Sequence, residues 1–383
     1  MSNLRNRHIK ILHVIGWMNR AGAETLLMHI LRHINREAFQ IDIAVHTTAP
    51  GAYDEEIRAL GSRIFPCIEP SHPRIYARNL TQILQEHGPY DIVHSHVHHY
   101  SGFVLHIAYA NGVEARVAHS HKGRSSASVA NIPRRVYLNF AKRLIDRYAT
   151  DGLAVSRSAA EDLFGANWES DARWRILRLG IDLSPFREPV DRAKAREELG
   201  IPENACVIGH VGRFSAEKNH SFLVDVAAEV ARRKENTWLL LVGDGPLRTK
   251  IEKQVTTVKM QNRTLFAGTQ NNTARLMRAI DVIVFPSLYE GLPLALVEAQ
   301  AAGVPCVVSD VIGSEVDVLP SLVHRVSLRK PASLWADQAI AALESSYKIS
   351  RNEALAAAES GPLNIANSIK DLERFYNEIC RAR

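Results

Sequence analysis

Two glutamates, Glu290 and Glu298, close either end of the segment Glu290-Gly291-Leu292-Pro293-Leu294-Ala295-Leu296-Val297-Glu298. Pro293 suits the first turn of a helix, and Gly303 and Pro305 suit its end, so Glu290 falls on the entry loop and Glu298 inside the helix. Such a spacing along a helix spans about 12 Å, an upper figure because the first part is loop. A nucleoside diphosphate sugar is about that long: Glu290 could accept hydroxyl hydrogen bonds from a sugar at one end and Glu298 from a ribose at the other. N–H groups of the helix start would face the phosphates between them. The rest of the helix is apolar, which predicts burial, and a buried carboxylate needs a partner.

A second candidate is Gly212-Arg213-Phe214-Ser215-Ala216-Glu217-Lys218-Asn219. The planar donor fork of Arg213 and the compact charge of Lys218 together could neutralise a diphosphate leaving group. The turn Val242-Gly243-Asp244-Gly245-Pro246 would let a base or phosphate approach the backbone. A further glycine-bearing loop, Gly16 to Glu24, runs through Gly22 into a helix whose N-terminus suits an anionic group. Taken singly, solvated cations and ordinary turns explain these loops equally well.

Histidines crowd the first half: His94, His96, His98, His99, His106, His119 and His121. If the strand continues, His94, His96 and His98 share a face, which raises a metal cluster. No nearby cysteine or carboxylate in the sequence completes a ligand set, so no metal is expected there.

These residues need a frame that gathers them. Short apolar segments alternate with amphipathic ones throughout, the pattern of a parallel sheet flanked by helices. Strands are expected at Lys10–Gly16, Gln40–His46, Asp91–His96, Ala115–His119 and Gly152–Ser156, and, in the second half, at Cys206–Gly212, Trp238–Gly243, Thr264–Ala267, Asp281–Phe285 and Cys306–Ser309. Between Leu183 and Ala205 the text turns to Pro, Glu and Arg, so the boundary falls there. The expected fold is α/β: two doubly wound, Rossmann-like domains facing across a cleft, residues 1–185 and 186–363, with 364–383 as a closing helix. In open parallel sheets ligands bind beyond the carboxyl ends of the strands, and every candidate above lies there.

Composition agrees. The chain has 383 residues, 46% of them hydrophobic and 23% charged, which excludes disordered and fibrous classes. Four scattered cysteines argue against a disulfide framework or a structural zinc site and point to a reducing, cytoplasmic compartment. No run is long and apolar enough for a signal region or a membrane span. The net charge is +6, yet from Arg116 to Arg147 eight basic residues face one acid, a local +7. Within it, Val136, Tyr137, Phe140, Leu144 and Ile145 could form one apolar face of a helix rimmed by Arg134, Arg135, Lys142, Arg143 and Arg147. Such a helix could rest on anionic lipid or simply pack on its own sheet.

The Glu290/Glu298 pair, the Gly212–Asn219 element, the Gly243-Asp244-Gly245-Pro246 turn and the Ala21-Gly22-Ala23-Glu24 loop together resemble a retaining glycosyltransferase of family 4 with the GT-B fold. The likeness spans nearly the whole chain. It implies an N-terminal acceptor-binding domain, a C-terminal nucleotide-sugar domain, and a last helix crossing back to the first domain. It further implies Arg213 and Lys218 on the diphosphate, Glu298 on the ribose and Glu290 near the donor sugar, within a donor pocket that includes Gly22, Gly212, Gly243, Gly291, Leu292, Pro293 and Leu294. His121, and after it His119, takes the place of the histidine that reaches donor sugar and acceptor, so His121, Glu290, Arg213 and Lys218 form the expected catalytic set. Gly22, His96, His119 and His121 form the expected acceptor side. The segments Asp91–His96 and Ala118–His121 resemble the branch that builds capsular and exopolysaccharides. The implied reaction moves a hexose-type sugar from a nucleotide sugar, UDP-linked, to a saccharide or a polyprenyl-diphosphate-linked acceptor. Neither a metal nor another cofactor is expected, and neither is nucleic acid. The expected location is the cytoplasm, at the inner face of the cell membrane if the basic helix touches lipid. Two departures stand out: Leu179 replaces the family's Asn before Gly180-Ile181-Asp182, and Gly313-Ser314-Glu315 is an imperfect glycine-glycine segment. A GT-B-fold nucleotide-sugar epimerase and a non-catalytic sugar-nucleotide-binding subunit remain as alternatives.

Overall fold

A computed structural model of the chain describes residues 8–20, 22–123, 132–270, 272–345 and 349–383. Ala21 of the first loop and Arg124 of the basic segment lie outside the described residues. The chain divides into two compact units, one of residues 1–180 together with 365–383, the other of residues 181–364.

The first unit holds seven strands: β1 (Ile9–Ile15), β2 (Phe39–Val45), β3 (Ile64–Pro66), β4 (Ile92–Ser95), β5 (Ala115–Ser120), β6 (Asp151–Ala154) and β7 (Trp174–Ile176). They pair in parallel in the order β3-β2-β1-β4-β5-β6-β7. The second unit holds β8 (Cys206–Val211), β9 (Thr237–Val242), β10 (Thr264–Gly268), β11 (Val282–Phe285), β12 (Cys306–Ser309) and β13 (Val323–Val326). Its order is β10-β9-β8-β11-β12-β13, again all parallel. Both sheets therefore reverse direction of growth once, between β1 and β4 and between β8 and β11, and such a switch point is where the loops part to leave a crevice.

Parallel strands buried on both faces read as nearly continuous apolar runs, and β9, Thr-Trp-Leu-Leu-Leu-Val, is one. Leu240 and Val242 join the core on one side of the second sheet, with Val207, Ile283 and Phe285. Leu239 and Leu241 join the core on the other, with Ile208, Val282 and Val284. Helices cover these faces by amphipathic spacing. In the helix Gly22–His33 the residues Leu26, Leu27, Ile30 and Leu31 are buried, while Glu24 in the first turn and Arg32 and His33 in the last oppose the ends of the helix dipole.

The last helix, Ile365–Arg381, buries Ile365, Ser368, Ile369, Leu372, Phe375, Tyr376 and Ile379 and groups with the first unit. Its Ser368 Oγ accepts from Gly180 N at 2.9 Å, Glu373 accepts from Asn35 N at 2.8 Å, and Tyr376 packs against Phe39.

The helix Ile132–Tyr148 corrects the expected apolar face. Ile145 and Ala141 point inward and are buried, beside Gly102 of the helix Ser101–Ala110. Ile132, Val136, Tyr137 and Phe140 are instead 76%, 63%, 47% and 58% exposed. At helical spacing Ile145 lies on the far side of the axis from Phe140, so one face could not hold both. No helix among the described residues is long and apolar enough to cross a membrane.

Candidate active site

Each unit carries a polar cluster at its own switch point, built from the loops after its central strands.

In the second unit the loop after β8, Gly212–Asn219, meets the segment after β11. Lys218 Nζ donates to Glu290 Oε1 at 2.7 Å, with the two side chains 17% and 11% exposed. Two backbone-level bonds hold the loops in register: Leu288 N donates to Glu217 O at 2.8 Å, and Asn219 Nδ2 donates to Pro286 O at 3.2 Å. Asn219 itself is left-handed, at φ 53°, a conformation its short polar side chain tolerates. The Lys218 ammonium also lies 5.0 Å from the centre of the Phe285 ring, a cation–π contact. Arg213 is exposed, and among the described residues its guanidinium has no ion-pair partner. The loop after β8 thus offers one cation held by a carboxylate and one facing solvent.

Behind this loop lies the turn after β9. Gly243 adopts φ +134°, and a Cβ there would stand 2.1 Å from Gly212 O; one at Gly245 would stand 2.6 Å from Phe214 O. The two loops interlock at a separation only glycine permits, tied by Phe214 N donating to Asp244 O at 3.0 Å. Gly291, Leu292 and Pro293 form the irregular approach to the helix Leu294–Ala301, whose first-turn N–H groups lack intrahelical acceptors. Leu296, Val297, Ala299, Gln300 and Ala301 of that helix are buried. The Gln300 amide donates to Leu296 O and Val316 O and accepts from Val318 N and Leu319 N, which clamps the segment beyond Gly313-Ser314-Glu315. Glu298 sits on the same helix. Its residue keeps some surface, yet its carboxyl lies deep enough that burial pushes its pKa up to about 7, against a lowering hydrogen bond from Thr273. That carboxyl changes charge near neutral pH, so it can either accept or donate to a hydroxyl.

In the first unit five imidazoles and a phenol fill the switch point. His13 of β1 lies in register with His94 of β4. His13 Nδ1 is 2.8 Å from His96 Nε2, His96 Nδ1 is 2.7 Å from His121 Nε2, and His94 Nε2 is 3.1 Å from His119 Nδ1. Tyr376 of the last helix closes the set, its hydroxyl 2.7 Å from His94 Nδ1 and 3.4 Å from His13 Nε2. Burial, and then the neighbouring imidazoles, lower the pKa of His94, His96 and His119 well below the ordinary range, and bring His13 and His121 down to about 3. All five are neutral at physiological pH. His121 alone of the five keeps partial exposure. Gly22 opens the helix after β1, with free space around it.

The expected His94/His96/His98 face does not form. β4 ends at Ser95, and His98 sits in a 3₁₀ turn at φ 53°, its Nε2 3.0 Å from Asp162 Oδ2. A carboxylate thus reaches the histidines after all, from a helix far along the chain. Ligand atoms lie within 4.8 Å of one another in three sets: His13/His94/His96, His96/His119/His121 and His98/His99/Asp162. In the first two sets the nearest nitrogens, 2.8 and 2.7 Å apart, are closer than the roughly 3.4 Å between two nitrogens bound tetrahedrally to one zinc ion; they are bonded to each other. The third set has the charges of Lys142 and Arg134 against His99, which oppose a cation.

His13 and Tyr376 carry no signal in the sequence beyond a polar residue inside an apolar strand and an aromatic residue on an apolar helix stripe. Pairing of β1 with β4 and docking of the last helix bring them in.

Two family descriptions match the chain: Glycosyltransferase Family 4 over residues 20–185 and Glycosyl transferases group 1 over residues 191–359. The chain is 41% identical over 333 residues to glycosyltransferase EpsF of Bacillus subtilis (strain 168), covering 86% of each. It is 25% identical over 316 residues, 80% of each chain, to the UDP-Gal:alpha-D-GlcNAc-diphosphoundecaprenol alpha-1,3-galactosyltransferase of Escherichia coli. Among solved structures, Anabaena Alr3699/HepE in complex with UDP-glucose matches 97% of this chain and 100% of its own, with a TM-score of 0.80 at 20% identity. That likeness is one of fold, shared with other GT-B proteins.

Proposed function

The chain belongs to the glycosyltransferases of family 4 and group 1, and from that premise we propose that it is a retaining enzyme working without a resident metal. In this reading it moves a hexose from a UDP-sugar to a saccharide carried on polyprenyl diphosphate, in the assembly of a surface polysaccharide. The acceptor class follows the Escherichia coli relative named above, and the donor base follows the UDP-glucose complex of the Anabaena protein.

The observation that carries the reading is the Lys218–Glu290 pair, 2.7 Å apart and spanning the two loops that flank the switch point of the second sheet. As the bond from the sugar's C1 to the diphosphate oxygen breaks, negative charge gathers on the phosphates and the sugar becomes oxocarbenium-like. Lys218, held by Glu290, and the first-turn N–H groups near Leu294 are fixed positive groups that stabilise such a leaving group without having to reorganise, and the exposed Arg213 adds a second cation. Glu290 holds Lys218 in place and accepts from sugar hydroxyls, while Glu298 accepts from the ribose. On the acceptor side Gly22 and His121 border the entry of the sugar to be lengthened, and His96 and His119 lie buried behind His121.

Incubation with UDP-, GDP- and ADP-sugars and a polyprenyl-diphosphate-linked saccharide tests this. The expected result is a lengthened acceptor with an axial or equatorial C1 substituent matching that of the donor, release of UDP, and no loss of rate in a chelator. A new sugar nucleotide without nucleotide release would instead mark an epimerase, and binding without turnover a silent subunit; either outcome overturns the reading.

A lipid-linked acceptor brings the enzyme to a membrane surface in the same reading. Support comes from Ile132, Val136, Tyr137 and Phe140, all exposed, on a helix that also exposes Arg135, Arg143 and Arg147. Insertion of apolar side chains with basic residues on the headgroups is the usual interfacial arrangement, with each basic residue contributing about 1 kcal/mol at an anionic surface. Sedimentation with anionic vesicles should fall sharply in Val136→Asp/Phe140→Asp. Equal sedimentation of this variant and wild type removes the membrane contact.

A further inference from the structure

The hydrogen bonds of the first unit join six side chains in one line. It runs His119 Nδ1 to His94 Nε2, His94 Nδ1 to Tyr376 Oη, Tyr376 Oη to His13 Nε2, His13 Nδ1 to His96 Nε2, and His96 Nδ1 to His121 Nε2. Each of the three inner imidazoles uses both nitrogens. A neutral imidazole has one N–H and one lone pair, and every contact between ring nitrogens needs one of each. With all five rings neutral, and with the buried Tyr376 hydroxyl accepting from one of its two imidazoles and donating to the other, every contact is satisfied and all bonds point the same way. An imidazolium inside it would donate from both nitrogens and leave a positive charge buried among the other rings. Among the described residues no carboxylate bonds to any of the five rings to compensate such a charge.

The far end sets the direction. His119 Nε2 is buried and has no hydrogen-bond partner. Orphaned buried N–H donors are rarer than orphaned acceptors, so a lone pair stands there and the proton is on Nδ1. His119 then donates to His94, His94 donates to the Tyr376 oxygen, the phenol donates to His13, His13 donates to His96, and His96 donates to His121 Nε2. His121 is left with its proton on Nδ1, which among the described residues carries no hydrogen bond, on a ring with partial exposure.

We propose that Tyr376, His13, His94, His96 and His119 are positioning residues that hold His121 as the neutral tautomer protonated on Nδ1, so that it gives a substrate oxygen a hydrogen-bond donor and does not act as a base. The proposal rests on the reading of His121 as substrate-facing and adds to it what the ring does. The groups facing His121 agree with a neutral ring: the His96 and His119 imidazoles lie against it, and burial, followed by the neighbouring His98 and Lys122 side chains, opposes its protonation. Among the described residues Tyr376 is the one hydrogen-bonded link between the His119–His94 half and the His13–His96–His121 half, so the last helix decides the tautomer of a ring just beyond β5.

The test is a long-range ¹⁵N–¹H spectrum of histidine-labelled protein, with His121 assigned by the signal lost in His121→Asn. Wild type should show His121 as one neutral tautomer, protonated on Nδ1, from about pH 5 to pH 8. Tyr376→Phe keeps the ring and its packing on Phe39 but removes the link; His121 should become a mixture of tautomers and titrate closer to the ordinary histidine range. A wild-type proton on Nε2 overturns the proposal, as does an unchanged His121 in Tyr376→Phe. Kinetics supply the second readout. The amide nitrogen of Asn lies near the position of Nδ1, and that of Gln near Nε2. His121→Gln should therefore lower kcat/KM by about a hundredfold, the cost of a lost donor to developing charge, and His121→Asn by clearly less. The reverse order overturns the donor role. Undiminished turnover in both variants also overturns it, yet transfer itself would still be measured, which keeps that failure distinct from failure of the proposed function.

Discussion

The two sheets repeat one strand order and put opposite chemistry at the same place. At the switch point between β1 and β4 the first unit stacks five uncharged imidazoles around a phenol. Between β8 and β11 the second sets an ammonium against a carboxylate, with an exposed guanidinium nearby. Topology decides where polar groups gather; burial decides what charge they can keep. Rings withdrawn from water, with no carboxylate bonded to them, give up their protons. Lys218 and Glu290 instead form an ion pair, in which each satisfies the other and both keep some contact with solvent.

Acid should separate the two sheets most. His13 and His121 have folded pKa values of about 3, below the 6.5 of an unfolded histidine. The unfolded chain therefore binds more protons throughout that interval. Their contribution is complete above 6.5 and is lost as pH falls from there toward 3. At pH 5 the two together cost on the order of 4 kcal/mol, with His94, His96 and His119 adding in the same sense. Hydrogen exchange followed by mass spectrometry at falling pH should show amides of β1, β4 and β5 lose protection before those of β8 and β11. Simultaneous loss would break the comparison.

Next in size is the ion pair. Lys218→Ala should lower turnover about 10²- to 10³-fold in steady-state assays with donor and lipid-linked acceptor, whereas Cys67→Ala, at a buried site of the first sheet, should leave it within about twofold. Comparable losses would discredit the site. Because Lys218→Ala takes the ammonium away from a Glu290 carboxylate that is only 11% exposed, the double variant with Glu290→Ala should melt higher than Lys218→Ala alone.

Gly243→Ala probes the interlocked loops. A Cβ would meet Gly212 O at a backbone conformation L-residues avoid, so the melting curve should report a loss of about 3 kcal/mol. An unchanged melting temperature would mean the loops can part freely. The smallest effect concerns Glu298. With its pKa near 7, the ionised form that accepts ribose hydroxyls grows as pH rises, so UDP affinity by calorimetry should climb from pH 6 to pH 8, by up to about tenfold per unit below the pKa. Glu298→Gln should flatten the profile; a flat wild type would remove Glu298 from the ribose.

The central strands were legible because each is an apolar run bounded by polar turns. The edge strands β3, β7 and β13, of three or four residues each, were not, since so short a run carries no period. The last helix announced itself through Ile365, Ile369, Leu372, Phe375, Tyr376 and Ile379 at helical steps, yet nothing in that stripe said that the hydroxyl of Tyr376 meets His94. His98 misled for a related reason: alternation predicts a strand face only while the strand lasts, and β4 ends at Ser95.

Local order along the chain was enough to determine two parallel α/β units, the loops that follow their strands, and the acidic and basic residue types those loops carry, because period, turn chemistry and charge are properties of neighbours in sequence. Pairing across distance belongs to the tertiary structure alone. Lys218 meets Glu290, Asp162 meets His98, and His13 and Tyr376 complete a line of imidazoles only when strands take their register and the final helix docks. Whether a titratable group is charged depends on the water and partners around it after folding, and residues far apart in the chain supply both.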